Sequence, residues 1–178
     1  MPLAALPGVV DMAGPLAMTD PRLLGRAIPI TGLAGDQQAA LIGQGCLEPG
    51  QTKATFGTGA FVLTQTGRTL PKSTNRLLAT VAWQLGGERH YALEGSVFVA
   101  GSLIQWLRDD LGLIDASPDT EPLARSVDDN GGVYLVPALS GLGAPHWQPH
   151  VDGRWRGDYR KVPSIHDAGT NERRELPL

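Results

Sequence analysis

Two hydrophobic periods run along this chain, and the places where one gives way to the other mark its elements. From Thr52 to Phe56 and from Ala60 to Thr64 the residues are mostly β-branched, aromatic or small. The two arms flank Gly57-Thr58-Gly59, which predicts a hairpin with a tight glycine tip. "LLATVAWQL" and "RHYALEGSV" surround "GGE" and predict a second hairpin. "SVFVAGSLIQWLRDDLGL" changes to helical spacing, with Val97, Ala100, Leu103, Ile104, Leu107 and Leu111 on one face and Gly112 as a C-terminal stop. Upstream, "RAIPITGLAG" predicts a short buried strand, Ala27 to Thr31, and a glycine-rich turn. "DQQAALIGQGCL" predicts a helix from Asp36 to about Gly45. "SPDTEPLARSV" predicts a short helix, with Ser117, Asp119 and Thr120 as candidate N-caps. "GGVYLVPALSGL" predicts a buried strand running into a glycine loop. Residues 1 to about 27 carry recurring prolines and no period, so they are expected to be irregular. Residues 151–178 mix both charge signs with Gly and Pro and predict a disordered tail.

Composition narrows the class without deciding the function. The 178 residues are 42% apolar and 19% charged, as in a globular protein. A net charge of -3 gives no field that would draw nucleic acid. No apolar run approaches the roughly 20 residues that span a bilayer. The first residues lack a basic region and are broken by Pro2, Pro7 and Pro15, which makes a poor signal peptide. Cys46 is the single cysteine, so an internal disulfide is excluded and the expected compartment is the cytoplasm.

Asp36 is the first candidate for chemistry. An Asp ahead of a helix is a good N-cap. A carboxylate kept ionised by the helix dipole is also what a general base requires. Both readings stand on position alone. Gln37 beside it offers an amide to a hydroxyl group. Gly57-Thr58-Gly59 is a hairpin turn whose N–H groups could meet a phosphate, although no "GxxxxGK[ST]" occurs. Gly101 lies inside a predicted helix, either for tight packing or to admit a ligand, with Gln105 one turn further on the same side. His146 and His150 are spaced by four, but Pro145 and Pro149 argue against a helix that would align them, so no metal site is expected.

Several blocks together resemble one family: "GLAGDQQAALIGQG", "ATFGTGAFVLTQTG", "YALEGSVFVAGSLIQWLRDDLGLI" and "GVYLVPALSGLGAPHW". In order and spacing they are similar to glycerol kinases, within the FGGY group of carbohydrate kinases, over about Leu24 to Pro149. The resemblance implies an α/β, actin-like or ribonuclease-H-like fold, present here in part. Residues 1–44 would end the first domain, 45–150 would supply about half of the nucleotide-binding second domain, and 151–178 would be unrelated. It implies that Asp36 is the catalytic base toward glycerol, and that Gln37 and Phe61 contact glycerol. It further implies that Thr58, Gly101 and Gln105 bind the nucleotide, with ATP and Mg2+ as the phosphoryl source. Family members are often homo-oligomers.

The family's earlier glycine loop and its later adenosine motif have no counterpart in this sequence. The resemblance therefore implies a gene fragment that is inactive alone, and a frameshift is the expected cause of its end. Its alternatives are a nucleotide-binding remnant without catalysis and a kinase of another small polyol or sugar. Strands that should be central would become edges, so marginal stability or self-association is expected.

Overall fold

The computed structural model describes residues 2–156. These divide into two compact units, one built from Met1–Thr55 and Val62–Gly95, the other from Phe56–Phe61 and Ser96 onward. Neither division expected from the sequence, at 44/45 or at 150/151, coincides with a border of these units. The predicted tail falls mostly outside the described residues; its described beginning contains a strand, Arg154–Arg156.

The first unit holds two sheets and two α-helices. Strands β1 (Ala13–Met18) and β2 (Pro29–Gly32) pair antiparallel, with the register slipping between Ala13 and Ala17. Strand β1 lies in the stretch expected to be irregular. Gly14, at φ 136°, and Pro15 erase any side-chain alternation, so only pairing with β2 defines it. A short helix α1 (Pro21–Leu24) joins them, capped by the Asp20 carboxylate, which accepts from Arg22 N at 2.9 Å. Helix α2 (Asp36–Gly43) follows.

The second sheet has the order β3 (Thr52–Phe56), β4 (Ala60–Gly67), β6 (Glu88–Val97), β5 (Leu78–Leu85). Both predicted hairpins are present. The β5–β6 turn places Gly86 and Gly87 at φ 58° and 76°, as a two-residue turn matched to strand twist requires. Its register runs from Leu85 opposite Glu88 to Leu78 opposite Glu94. Helix α2 packs on β5 and sends Leu41 into the core with Leu63, Ala82, Trp83 and Ala92. Gln65 is buried but satisfied: its Nε2 lies 2.9 Å from His90 Nδ1, and its Oε1 accepts from Gly67 N. His90 also stacks on Trp83.

The second unit is built around helix α3 (Gly101–Asp109), a 3₁₀ turn at Ser117–Asp119 and helix α4 (Thr120–Arg125). It also contains the antiparallel pair β7 (Tyr134–Val136) and β8 (Arg154–Arg156). The sequence extends α3 back to Val97; in the structure Val97 ends β6 and Ala100 caps the helix. Strand β7 was expected to be buried, yet Tyr134 and Val136 are exposed and only the flanking Val133 and Ala138 are core. Of the candidate caps, Asp119 occupies the N-cap position of α4, but its side chain makes no cap bond to that helix. Asp119 instead folds back, and its carboxylate accepts from Ala116 N at 2.7 Å. Gly143 lies so close to Ser96 O that no side chain fits, and Ala144 N donates to the same oxygen at 2.8 Å.

Asp11 fastens the irregular N-terminal stretch to the β5–β6 turn. Its carboxylate accepts from Gln84 Nε2 at 2.9 Å and from Gly87 N at 3.1 Å, while Met12 N donates to Gln84 O. The Gln84 side-chain bond, followed by that of Gly87 N, holds the Asp11 carboxyl below its ordinary value of 3.8. A lowered acid stabilises the fold above its unfolded value and loses that contribution as pH falls through the folded one. The protection of the Met12 and Gly87 amides, relative to an unfolded peptide at the same pH, should therefore fall on acidification below the ordinary carboxylate range. Asp11→Ala should show the same loss of protection already at neutral pH, with the Leu63 amide still protected. Equal exchange in wild type and variant would remove Asp11 from this role.

Candidate functional site

The sequence-derived residues fall into two clusters, each within one unit. In the first unit, Asp36 and Gln37 open α2. Gly35, not Asp36, is the N-cap, in extended backbone at φ −67° and ψ 154°, and Gly35 O accepts the first helical bond from Ala39 N at 2.8 Å. The expectation that Asp36 caps through an N–H two or three residues on is corrected by this geometry. Asp36 is the first helical residue; its Oδ1 accepts from Gln37 N at 2.8 Å and its Oδ2 from Gln37 Nε2 at 3.3 Å. The side chain is exposed, at the positive end of the helix. The far end of α2 closes as a Schellman motif, with Gly45 at φ 72°, Gly45 N donating to Ile42 O and Cys46 N to Leu41 O.

Beneath this pair lies a residue that the sequence reading passed over. Lys53 of β3 is only 3% exposed. Its ammonium donates to Gln37 Oε1, and to Thr55 Oγ1 at 2.8 Å. Burial pushes its pKa below the ordinary 10.5, and the carboxylates of Glu94 and Asp36 oppose that in part. A signal was available: in "TKATF" Lys53 and Thr55 share the inward face of a strand with period 2, where a lysine must find partners.

The second cluster joins the hairpin tip to the start of α3. Gly57 O accepts from Gly101 N at 2.8 Å, and Thr58 O accepts from Ala100 N at 2.8 Å and Ser102 N at 3.2 Å. Ser102 Oγ donates to the same Thr58 oxygen. The tip's carbonyls thus satisfy the N–H groups that a helix start leaves open. The contact is close enough to require glycine: a Cβ on Gly101 would stand 2.5 Å from Gly57 O. Along α3, Gly101, Ile104, Gln105 and Arg108 follow i, i+3, i+4, i+7 and line one wall of an open groove of about 360 Å3. Gly57, Thr58, Ser117 and Thr120 complete it. Thr58, Gly101 and Gln105 are therefore brought together, as are Asp36 and Gln37. Phe61, half-buried on β4, belongs to the second unit, whereas Asp36 and Gln37 belong to the first. The Arg108 guanidinium is neutralised by Asp109, at 2.6 and 2.8 Å. Among the described residues no group of three or more His, Cys, Asp or Glu converges on a metal position, and no helix is long and apolar enough to cross a membrane.

Solved structures define the class first. The fold matches that of Plasmodium falciparum glycerol kinase with ADP at a TM-score of 0.79 and 33% identity, covering 92% of this chain and 33% of that one. It matches a xylulose kinase from Rhodospirillum rubrum at 0.71 and 23%, covering 93% and 34%. This is part of the actin-like, ribonuclease-H-like fold of sugar kinases. The C-terminal domain model of the FGGY carbohydrate kinases matches residues 52–164, and the chain belongs to that family. That match continues past residue 150, where the sequence reading had ended the resemblance. Among curated relatives, the glycerol kinase of Rhizobium meliloti is 58% identical over 153 residues, 86% of this chain and 31% of its own length. That of Alkalilimnicola ehrlichii is 58% identical over 168 residues, 94% and 34%. The chain spans about a third of the length of the curated relatives it matches.

Gly101→Ala tests the joint between tip and helix. Alanine favours a helix interior by up to about 1 kcal/mol over glycine. Forcing a methyl group against Gly57 O should outweigh this, since overpacking costs about 1–3 kcal/mol. Urea unfolding should report a net loss of stability, whereas a gain would mean that the tip yields freely.

Proposed function

We propose that this chain carries the phosphoryl-acceptor and nucleotide-binding parts of an ATP-dependent glycerol kinase. The observation that carries the reading is the groove in which Thr58, Gly101 and Gln105 meet, since the family resemblance assigned these three to the nucleotide before any geometry was known. The identity to glycerol kinases, 58% over most of this chain, supports glycerol rather than a larger sugar as acceptor.

In this reading Asp36 accepts the proton of the attacking glycerol hydroxyl. It is exposed at the start of α2, where an incoming hydroxyl can reach it. Gln37 and Phe61 contact the acceptor. Gly57 leaves room for a nucleotide to approach the backbone, Gly101 lets the tip close on α3, Thr58 offers a hydroxyl to the phosphates, and Gln105 an amide further along the wall. The polar groups of Thr58, Gln105 and Ser117 along this groove support a nucleotide there. Mg2+ would arrive with the phosphates and neutralise their charge. Phosphoryl transfer asks mainly for positioning of the reactants and neutralisation of their charge.

The chain should bind MgADP, and Thr58→Val and Gln105→Ala should each weaken binding by about tenfold or more in calorimetry, the equivalent of about 1.4 kcal/mol. Exchanging Leu24–Pro149 into the Rhizobium meliloti enzyme should retain ATP-dependent phosphorylation of glycerol. There, Asp36→Asn should lower kcat by about 10²–10⁴-fold, the usual worth of a general base. Unimpaired turnover by the Asn variant would exclude Asp36 as the base. MgADP binding without any turnover in the exchanged enzyme would leave only a nucleotide-binding role.

A further inference from the structure

We propose that Lys53 is a positioning residue that fixes which way the Gln37 amide points, and through it the Asp36 carboxylate. The inference concerns side-chain orientation; only its catalytic consequence rests on Asp36 being the base.

The geometry allows one arrangement. A glutamine amide can turn over, exchanging its oxygen and nitrogen with little change in shape. Here one side of Gln37 faces an ammonium, which only donates, and the other faces a carboxylate, which only accepts when ionised. The oxygen must therefore meet Lys53 and the nitrogen must meet Asp36. Gln37 then holds both carboxylate oxygens, Oδ1 through its backbone N–H and Oδ2 through its side chain. Asp36 is otherwise exposed, so this grip on both oxygens sets its direction. Thr55 Oγ1 takes a second Lys53 proton at 2.8 Å and holds the ammonium on the inward face of β3. The charged groups facing Lys53 are Asp36 on α2 and Glu94 on β6, with the titratable Cys46 thiol in the turn after α2. A cation buried this deeply is costly unless it is paired and hydrogen-bonded. A neutral residue would fill the space more simply if no orientation were required.

The test is an NMR titration of the full chain, labelled with 13C and 15N. Lys53 Nζ should lose its proton below the ordinary lysine range. The Gln37 carboxamide signals should move with the same midpoint, because a neutral amine no longer dictates the orientation of the amide. In Lys53→Met the Gln37 NH2 protons should exchange severalfold faster, with the Leu63 methyl signals unchanged, and Lys53→Arg should restore the slow exchange. Gln37 signals that stay constant while Lys53 titrates would overturn the proposal, and so would wild-type exchange in a folded Lys53→Met. If Lys53→Met does not fold, the wild-type titration decides alone. In the exchanged Rhizobium meliloti enzyme, Lys53→Met should lower kcat more than it raises KM. A null effect of Asp36→Asn there would sink the kinase reading and leave the Gln37 signals as they are.

Discussion

The second unit depends on two backbone carbonyls. Gly57 O and Thr58 O receive the first N–H groups of α3, so the hairpin tip serves as the cap that the helix's own sequence does not supply. A helix start left open would carry unsatisfied donors. Closing it with another segment's carbonyls makes the tip and the helix one rigid piece. Both glycines at the contact follow from this closeness. Gly101 lies against Gly57 O, and Gly59 lies against Val97 O and Phe98 O. The wall formed by Ile104, Gln105 and Arg108 inherits its direction from that joint. In the first unit the start of α2 is handled differently. Gly35 supplies the turn, and the Asp36 carboxylate is left to the helix dipole and Gln37.

Much of this was legible in the sequence where one force dominates. The two hairpins announce themselves because alternation and glycine turns agree, and the Schellman end of α2 because Gly45 sits where a left-handed residue is needed. Legibility failed where tertiary pairing decides. Strand β1 has no alternation and exists through its register with β2. Val97 and Ala100 fit a helical stripe, yet sheet pairing claims Val97 and the cap at the tip sets the helix start. Asp36 reads as a cap until the backbone shows Gly35 in that place. Thr58, Gly101 and Gln105 were named from resemblance, and the period along α3 explains physically why the last two line one wall. Lys53 was missed because a lysine in a strand is usually a solvated edge residue, and only burial reveals it as internal.

The two clusters use polar groups in opposite ways. Around Thr58 the side chains are small and the backbone is the working surface, as suits a ligand that must come close. Around Asp36 a chain of side chains runs from Thr55 through Lys53 and Gln37, and each link is a donor facing an acceptor. Such chains are worth having only when every member is satisfied. Membership of the FGGY carbohydrate kinases gives both arrangements a common setting.

The second unit takes Phe56–Phe61 from the middle of the first unit's path and the rest from Ser96 onward. No single cut can therefore part the two units cleanly: a break between 61 and 62 divides the first unit, and one between 95 and 96 keeps the first unit whole but holds back the second unit's six-residue loop. During synthesis that loop emerges well before α3, whose N–H groups its carbonyls receive. A truncation that keeps the second unit alone would lose the carbonyls that cap its helix.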